Sequence, residues 1–274
     1  YPRHHGLRDN GGFRLSEEVP TLAERLTDSG YASAAFVGAF VLDGAWGLER
    51  GFELYRDPFH PQAVAEVGAF GEVELPSVEV VNAAVSWWKT VGREHPGQPR
   101  FAWVHVYDPH TPWRTHAGWE GDPYRGEIAY VDGVLARLYE AAGSDALIVV
   151  TSDHGEYLGE HSFLGHSAST YSQVTHVPMV LACPGVPQGV RAETPVQLQD
   201  LYGTLLELAG IAATEHSLAR PDSMPTDRAI QSAAWVRPHL AESVGGRLAE
   251  PWRTHRRGSE VVVVYGDTVE LYDL

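Results

Sequence analysis

The sequence has very little cysteine and lysine, and it has no apolar run of membrane-spanning length. Cys183 is the only cysteine among 274 residues, which excludes an internal disulfide and a zinc or redox site built from paired cysteines. Lys89 is the only lysine, so any cationic role in a site must fall to arginine, protonated histidine or a metal ion. The longest apolar stretch, at 34–42, is too short to cross a bilayer.

Positive charge is also scarce, and this narrows the class of partner. The 36 Asp and Glu residues outnumber the 20 Lys and Arg residues, and the formal net charge is −16. Proteins that bind nucleic acid concentrate basic residues to replace the counterions of the phosphates. We therefore exclude DNA and RNA as partners.

Hydrophobic periodicity predicts helices that alternate with short, continuously apolar strands. The predicted helices are 17–31, 77–94, 127–143 and 196–210, and the predicted strands are 33–40, 101–110, 145–155 and 177–185. This alternation is typical of an α/β fold whose sheet is covered on both faces. We expect an α/β core over 1–215 and, over 216–274, an irregular segment followed by a small C-terminal sub-domain with a hairpin around Gly266 and Asp267.

Asp153 and His154 lie at the carboxyl end of the predicted strand at 145–155, and ligands bind beyond the carboxyl ends of strands in such sheets. A carboxylate next to an imidazole suits Mn²⁺ or Zn²⁺, whereas Ca²⁺ and Mg²⁺ prefer oxygen ligands. The competing interpretation is that Asp153 caps a turn and that His154 is a surface residue. His161 and His166 follow on the same loop, and we expect His166 to belong to the site. His161 is an additional candidate or a structural hydrogen-bonding residue.

A second polar cluster lies at the carboxyl end of the predicted strand at 101–110. Pro109 and Pro112 restrict the backbone around His110, which would pre-organise this side chain as a general acid or as a donor to an anionic oxygen. Asp108 is a candidate metal ligand in the same cluster. The competing interpretation is a proline-rich turn with His110 exposed and Asp108 as its cap.

Four segments, in this order, resemble the sulfatase branch of the alkaline phosphatase superfamily: GEIAYVDGVLARLYE (126–140), VVTSDHGEYLGEH (149–161), LGHSASTYSQVTHVPMVLACPG (164–185) and VQLQDLYGTLLELAGI (196–211). The resemblance covers nearly the whole chain. It implies a three-layer αβα sandwich with a mostly parallel mixed sheet, plus a small antiparallel C-terminal sub-domain. It also implies a metal-dependent sulfuric ester hydrolase that acts on a small anionic ester.

The resemblance assigns roles to individual residues. Asp153 and His154 match the family's Asp-Asn or Asp-His metal pair, which holds Ca²⁺ in many members. His110 matches the substrate-contacting histidine, and His166 falls where sulfatases often have lysine.

The family's nucleophile lies in a Cys/Ser-x-Pro-x-Arg signature that follows paired aspartates in the sequence. We expect the chain to begin just beyond that segment and to be truncated at its C-terminus, hence to be inactive alone. Localisation stays open between periplasmic, secreted and cytoplasmic, as does the oligomeric state.

Two departures from the family pattern keep other functions open. The segment at 38–44 reads GAFVLDG, where many sulfatases have a lysine and a histidine, and His154 replaces the usual asparagine. Both raise phosphodiester, phosphonate or phosphate monoester hydrolysis as the alternative, including a two-metal site that uses Asp108. A degenerate domain without catalytic activity is the non-enzymatic alternative.

Overall fold

The computed structural model describes residues 5–7, 13–59, 73–166, 169–184, 188–213, 217–219, 227–235 and 246–273. The chain divides into two compact units, 1–144 and 145–274. The boundary that we expect at 215 and 216 stays a prediction. Among the described residues, no helix combines the length and the apolar character needed to cross a membrane.

The first unit is built around a parallel three-stranded sheet. Its elements are α1 (Leu22–Asp28), β1 (Ala32–Val37), β2 (Leu54–Arg56), α2 (Ser77–Glu94), β3 (Arg100–His105) and α3 (Pro123–Ala142). Strand β1 lies at the centre and pairs in parallel with β2 on one side and β3 on the other. Helix α2 packs on β1 and β3, and α3 packs on α2.

Helices cover both faces of β1, which is buried along its whole length. The side chains of Ala34 and Phe36 pack against Val80 and Ala84 of α2. On the opposite face, the hydroxyl of Ser33 lies 2.7 Å from that of Thr27 on α1. The layered α/β arrangement expected from the sequence is therefore present in this unit.

Local signals fix the ends of the helices. Thr21 caps α1 in a capping box, because its hydroxyl accepts from the Glu24 N–H at 3.0 Å and Glu24 accepts from the Thr21 N–H at 2.8 Å. Helix α1 is thus shorter than the predicted 17–31. Asp122 caps α3 by accepting from the Tyr124 N–H at 2.9 Å, and α3 ends at Gly143, whose φ is 80°.

The second unit is mostly antiparallel. Its elements are β4 (Ile148–Thr151), β5 (Tyr157–Leu158), β6 (Leu164–Gly165), α4 (Ser172–Thr175), β7 (Met179–Ala182), α5 (Asp200–Leu208), β8 (Ala229–Ala234), β9 (Trp252–Arg257), β10 (Glu260–Tyr265) and β11 (Thr268–Asp273). Strand β4 pairs with β7, β5 pairs with β6, and the last four strands form a sheet in the order β11-β10-β9-β8.

The four-stranded sheet packs on the segment that follows β4. A buried cluster joins Trp252, Val261 and Val263 of the sheet to Tyr157 and Tyr171. The hairpin predicted around Gly266 and Asp267 is confirmed as β10 and β11. Part of the segment after 216 that the sequence predicts to be irregular is strand β8, where the weakly strand-forming sequence AIQSAA pairs with β9 along six residues.

Candidate active site

The first unit places His110 just beyond the carboxyl end of β3. Its backbone N–H donates to the carbonyl of Tyr107 at 2.8 Å, and its ring stacks on the Tyr107 ring with centroids 4.3 Å apart. Nδ1 of His110 lies 2.6 Å from the Thr111 carbonyl oxygen, which can only accept, so Nδ1 carries the proton of this hydrogen bond. The tautomer is therefore fixed, and Nε2 is the nitrogen suited to exchange a proton with a substrate.

Asp108 lies on the same segment and binds the start of α2. Its Oδ2 accepts from the Ser77 backbone N–H at 2.8 Å and from the Ser77 hydroxyl. A carboxylate at a helix N-terminus is stabilised by the N–H groups and by the helix dipole. Asp108 does act as a cap, but it caps a helix 31 residues earlier rather than its own turn. Its role as a metal ligand stays a prediction.

Glu127 is the residue of this region that the sequence reasoning missed. It lies on α3 with 1% of its surface exposed, and its two carboxylate oxygens accept from the Arg114 N–H at 2.6 Å and from Nε2 of His116 at 2.7 Å. The His116 ring stacks on Tyr130, with centroids 4.2 Å apart. Glu127 thus holds the loop that follows His110 against α3. A carboxylate four residues before the buried Val131 is the signal that could have revealed it.

The second unit places Asp153 and His154 just beyond the carboxyl end of β4, as predicted. Nδ1 of His154 donates to the Gly155 carbonyl at 3.0 Å, so the lone pair of the neutral ring lies on Nε2. This Nε2 is 3.8 Å from Oδ2 of Asp153, whose side chain is 72% exposed. The other Asp153 oxygen accepts from the His154 backbone N–H at 3.0 Å.

The same unit brings His166 to His154. The two imidazole rings have centroids 4.2 Å apart, and one ring nitrogen of each lies within 4.8 Å of the other. The short hairpin of β5 and β6 accounts for this approach, because Tyr157 pairs with Gly165, the residue before His166. Of the predicted residues, Asp153, His154 and His166 therefore lie together.

The donor set at the end of β4 combines a carboxylate with imidazole nitrogens, which are ligand types of a divalent metal ion. The Asp153 and His154 donor atoms are 3.8 Å apart, wider than the roughly 3.4 Å that two bonds of about 2.1 Å span at a tetrahedral angle, so binding one ion would need a small movement of the exposed Asp153 side chain. The hydrogen bond from the His154 Nδ1 to a backbone carbonyl is the orientation that metal-binding histidines use. An oxygen and a nitrogen donor suit a borderline ion such as Mn²⁺ or Zn²⁺.

His161 has a different environment. Its ring stacks on Tyr171, with centroids 3.7 Å apart and planes within 4° of parallel. Glu160, its neighbour, accepts from the Leu158 backbone N–H at 2.7 Å, and this hydrogen bond lowers the pKa of the Glu160 carboxyl. The structure therefore places His161 in the turn between β5 and β6, while its membership of the site stays a prediction.

Comparison with known protein families matches residues 1–211 to the family described as Sulfatase. The chain is 28% identical to arylsulfatase K of Xenopus laevis over 184 residues, which cover 62% of this chain and 33% of that protein. It is 34% identical to a Δ4,5-hexuronate-2-O-sulfatase of Bacteroides thetaiotaomicron over 111 residues, which cover 35% of this chain and 23% of that protein. The matching segments thus span a third or less of these curated relatives.

Solved structures extend the likeness over the whole chain. A 2-O GAG sulfatase superposes with a TM-score of 0.70 at 21% identity, covering 99% of this chain and 72% of the other. A phosphonate monoester hydrolase of Silicibacter pomeroyi superposes with a TM-score of 0.68 at 19% identity, covering 100% of this chain and 77% of the other. These likenesses confirm the predicted α/β fold of the alkaline phosphatase type.

Proposed function

The chain belongs to the sulfatase family, and from this premise we propose that the protein hydrolyses sulfate esters of a small organic substrate. One observation carries the proposal: Asp153 and His154 follow the end of β4, and the imidazole of His166 lies against that of His154. A carboxylate that can hold a cation, next to imidazoles that can donate protons, suits the binding of an anionic ester at a strand end.

Members of the family generally depend on a metal ion. Asp153 and His154 would hold it in this chain. When bound, a divalent ion supplies positive charge that stabilises the negative charge of the transferring group. The imidazole of His154 favours Mn²⁺ or Zn²⁺ over the Ca²⁺ that an all-oxygen site would prefer.

In the proposed reaction, the bond between sulfur and the organic oxygen breaks. Water adds its oxygen to sulfur and releases a proton to the solvent, while the leaving oxygen takes a proton from a histidine. His110 or His166 gives this proton, and the other histidine donates a hydrogen bond to the sulfate oxygens. The hydrogen bond of His110 supports its assignment, because Nδ1 keeps its proton for the Thr111 carbonyl and the proton that the imidazolium gives up is then the one on Nε2.

The metal assignment is tested with the full-length protein and 4-nitrophenyl sulfate. We expect Asp153→Ala to reduce kcat/KM by about 100-fold or more, since removing a ligand weakens ion binding and charge stabilisation together. Asp132→Ala on the exposed side of α3 is the matched control and should retain the wild-type rate. EDTA should abolish the activity, and Mn²⁺ or Zn²⁺ should restore it. Wild-type kcat/KM in Asp153→Ala would reject the assignment.

The dependence on the leaving group tests the histidines. A general acid matters most for a basic leaving oxygen, so its loss should slow phenyl sulfate more than 4-nitrophenyl sulfate. Whichever of His110→Ala and His166→Ala shows this difference, at about 10²- to 10⁴-fold on phenyl sulfate, identifies the proton donor. Equal losses on both substrates in both variants would contradict the proton-transfer role.

Phosphonate or phosphate ester hydrolysis is the second candidate function. The segment at 38–44 favours it, because many sulfatases have a lysine and a histidine there and this chain has neither. Phe40 of this segment instead lies edge-on to Trp46 and Phe59, with centroids 6.3 and 6.1 Å away. The ratio of kcat/KM for 4-nitrophenyl sulfate to that for 4-nitrophenyl phenylphosphonate separates the two. A ratio above one supports the sulfatase, and a ratio below one supports the second function.

A further inference from the structure

The turn between β5 and β6 has an unusual backbone. His161 and Ser162 have φ values of 54° and 63°, and they are the non-glycine residues with positive φ among the residues that the structure describes. Side chains other than glycine are disfavoured in this left-handed region, so two in succession persist only when surrounding contacts hold them there. The contacts of His161 therefore indicate what the turn depends on.

The His161 ring stacks nearly parallel on Tyr171 and lies edge-on to Tyr157, with centroids 3.7 and 6.3 Å apart. Tyr171 is 4% exposed, and its hydroxyl donates to Oε2 of Glu270 at 2.8 Å. Glu270, on β11, also accepts from the hydroxyls of Tyr265, at 2.6 Å, and Tyr272. The four-stranded sheet thus holds the Tyr171 ring in place, and the stack on this ring holds His161 in the turn between β5 and β6.

The turn determines where His166 lies. Strands β5 and β6 contribute only two residues each, so their pairing needs support from the turn that joins them. Pairing of Tyr157 with Gly165 sets His166 next to His154, three residues before Tyr157. A loosened turn would therefore change the spacing of the two imidazoles.

We propose that His161 is a positioning residue, which through its stack on Tyr171 and the Tyr171–Glu270 hydrogen bond sets the spacing of His154 and His166. The inference deepens the proposed function and rests on it for the role of those two histidines. In this arrangement the His161 ring acts by its flat face, and its nitrogens contribute nothing to the ion or the substrate. Glu270, on the last strand, thereby supports the site through Tyr171, which lies 99 residues before it in the chain.

The experiment compares His161→Phe with His161→Ala. Phenylalanine keeps an aromatic face for Tyr171 but has no nitrogen, whereas alanine removes the face as well. Two readouts apply: the nuclear Overhauser effect between the His154 and His166 imidazoles in histidine-labelled protein, and the Kd for Mn²⁺. We expect His161→Ala to lose the Overhauser effect and to raise the Kd by about 10- to 100-fold, as for other supports of metal ligands. His161→Phe should keep both within twofold of wild type.

Tyr265→Phe is the matched control, because it removes one hydroxyl from Glu270 while leaving the rings of Tyr171 and His161 in place. It should behave as wild type. The inference is overturned if His161→Phe loses the Overhauser effect and raises the Kd for Mn²⁺ as much as His161→Ala does, because a ring nitrogen would then be needed. It is also overturned if His161→Ala keeps the Overhauser effect and the Kd of wild type. The Asp153→Ala variant separates the metal assignment of the proposed function from the positioning role of His161. If this variant binds Mn²⁺ as wild type does, the metal assignment fails, and the Overhauser effect alone decides the positioning role.

Discussion

The backbone of Gly155 passes so close to Gln173 that a β-carbon on Gly155 would lie 2.1 Å from the Gln173 carbonyl oxygen. The Gly155 N–H donates to the neighbouring carbonyl of Val174 at 3.0 Å. The segment that carries Asp153 and His154 is therefore pressed against α4, and glycine is the residue that this approach permits. The contact fixes the direction in which the chain leaves β4.

Gly155→Ala should consequently destabilise the protein and move His154. Forcing a methyl group into backbone atoms costs about 1–3 kcal/mol or more, and the nearest way to relieve it displaces the Asp153 segment. The midpoint of urea unfolding and the Kd for Mn²⁺ report the two effects. Gly133→Ala is the control, because Gly133 lies in α3 with open space around its added β-carbon. That substitution should stabilise by about 0.5–1 kcal/mol, and equal effects of the two would refute the argument.

Glu127→Ala should destabilise the loop that follows His110. The change leaves the Arg114 N–H and the His116 ring without their acceptor, at a cost of about 1–3 kcal/mol for each buried donor that water does not reach. Glu140→Ala, at an exposed position on the same helix, should change the free energy of unfolding by less than about 0.5 kcal/mol. Urea unfolding measures both, and a Glu127→Ala variant as stable as Glu140→Ala would show that the loop does not depend on this carboxylate.

Arg228→Ala should be among the most damaging single changes in the second unit. Arg228 forms two hydrogen bonds with Asp200, at 2.5 and 2.9 Å, and the side chains are 10% and 2% exposed. Removing one partner of a buried ion pair costs about 3–5 kcal/mol, because the other charge stays buried. Arg257→Ala breaks the exposed pair with Asp227 and should cost no more than about 1 kcal/mol. Similar unfolding midpoints for the two variants would contradict the distinction.

Tyr171 should make stability fall at alkaline pH. Burial raises the pKa of its hydroxyl above the ordinary 10.0, and the hydrogen bond to Glu270 raises it further. The Tyr171 hydroxyl ionises near pH 10 in the unfolded chain but only at higher pH in the folded protein. Its contribution to the free energy of unfolding is therefore complete below pH 10 and is lost as the pH rises above it. The thermal midpoint should therefore drop between pH 8 and about 11, and the drop should be shallower in Tyr171→Phe. Parallel declines in wild type and variant would rule out this contribution.

Much of the fold could be read from the sequence where the signal is local. Helix α2 begins and ends at the predicted residues 77 and 94, and the hairpin turns at Gly266. The signal fails where tertiary contacts decide. Ile128 of α3 is 45% exposed although it is apolar, and the buried face of this helix carries Val131 and Val134. Strand β8 forms because β9 offers it a complete set of partners.

The candidate site also combines residues that a local sequence pattern reveals with contacts that only the folded structure reveals. The polar residues after β3 and β4 could be found because the carboxyl ends of strands in α/β sheets are where ligands bind. The pairing of Glu127 with His116, 11 residues apart, depends on how a loop folds back on a helix. The bond from Tyr171 to Glu270 joins residues 99 apart in different elements, and no local pattern encodes it. Sequence thus identified the candidate site residues, and structure identified what supports them.

Sulfate ester hydrolysis is tested most directly by the release of inorganic sulfate from an organic sulfate ester by the full-length protein, measured by ion chromatography for wild type, His110→Ala and Asp153→Ala. We expect stoichiometric sulfate from wild type and rates lower by about 100-fold or more in each variant, since each removes a group that acts on the reacting ester. Sulfate release at the wild-type rate by both variants would contradict this expectation.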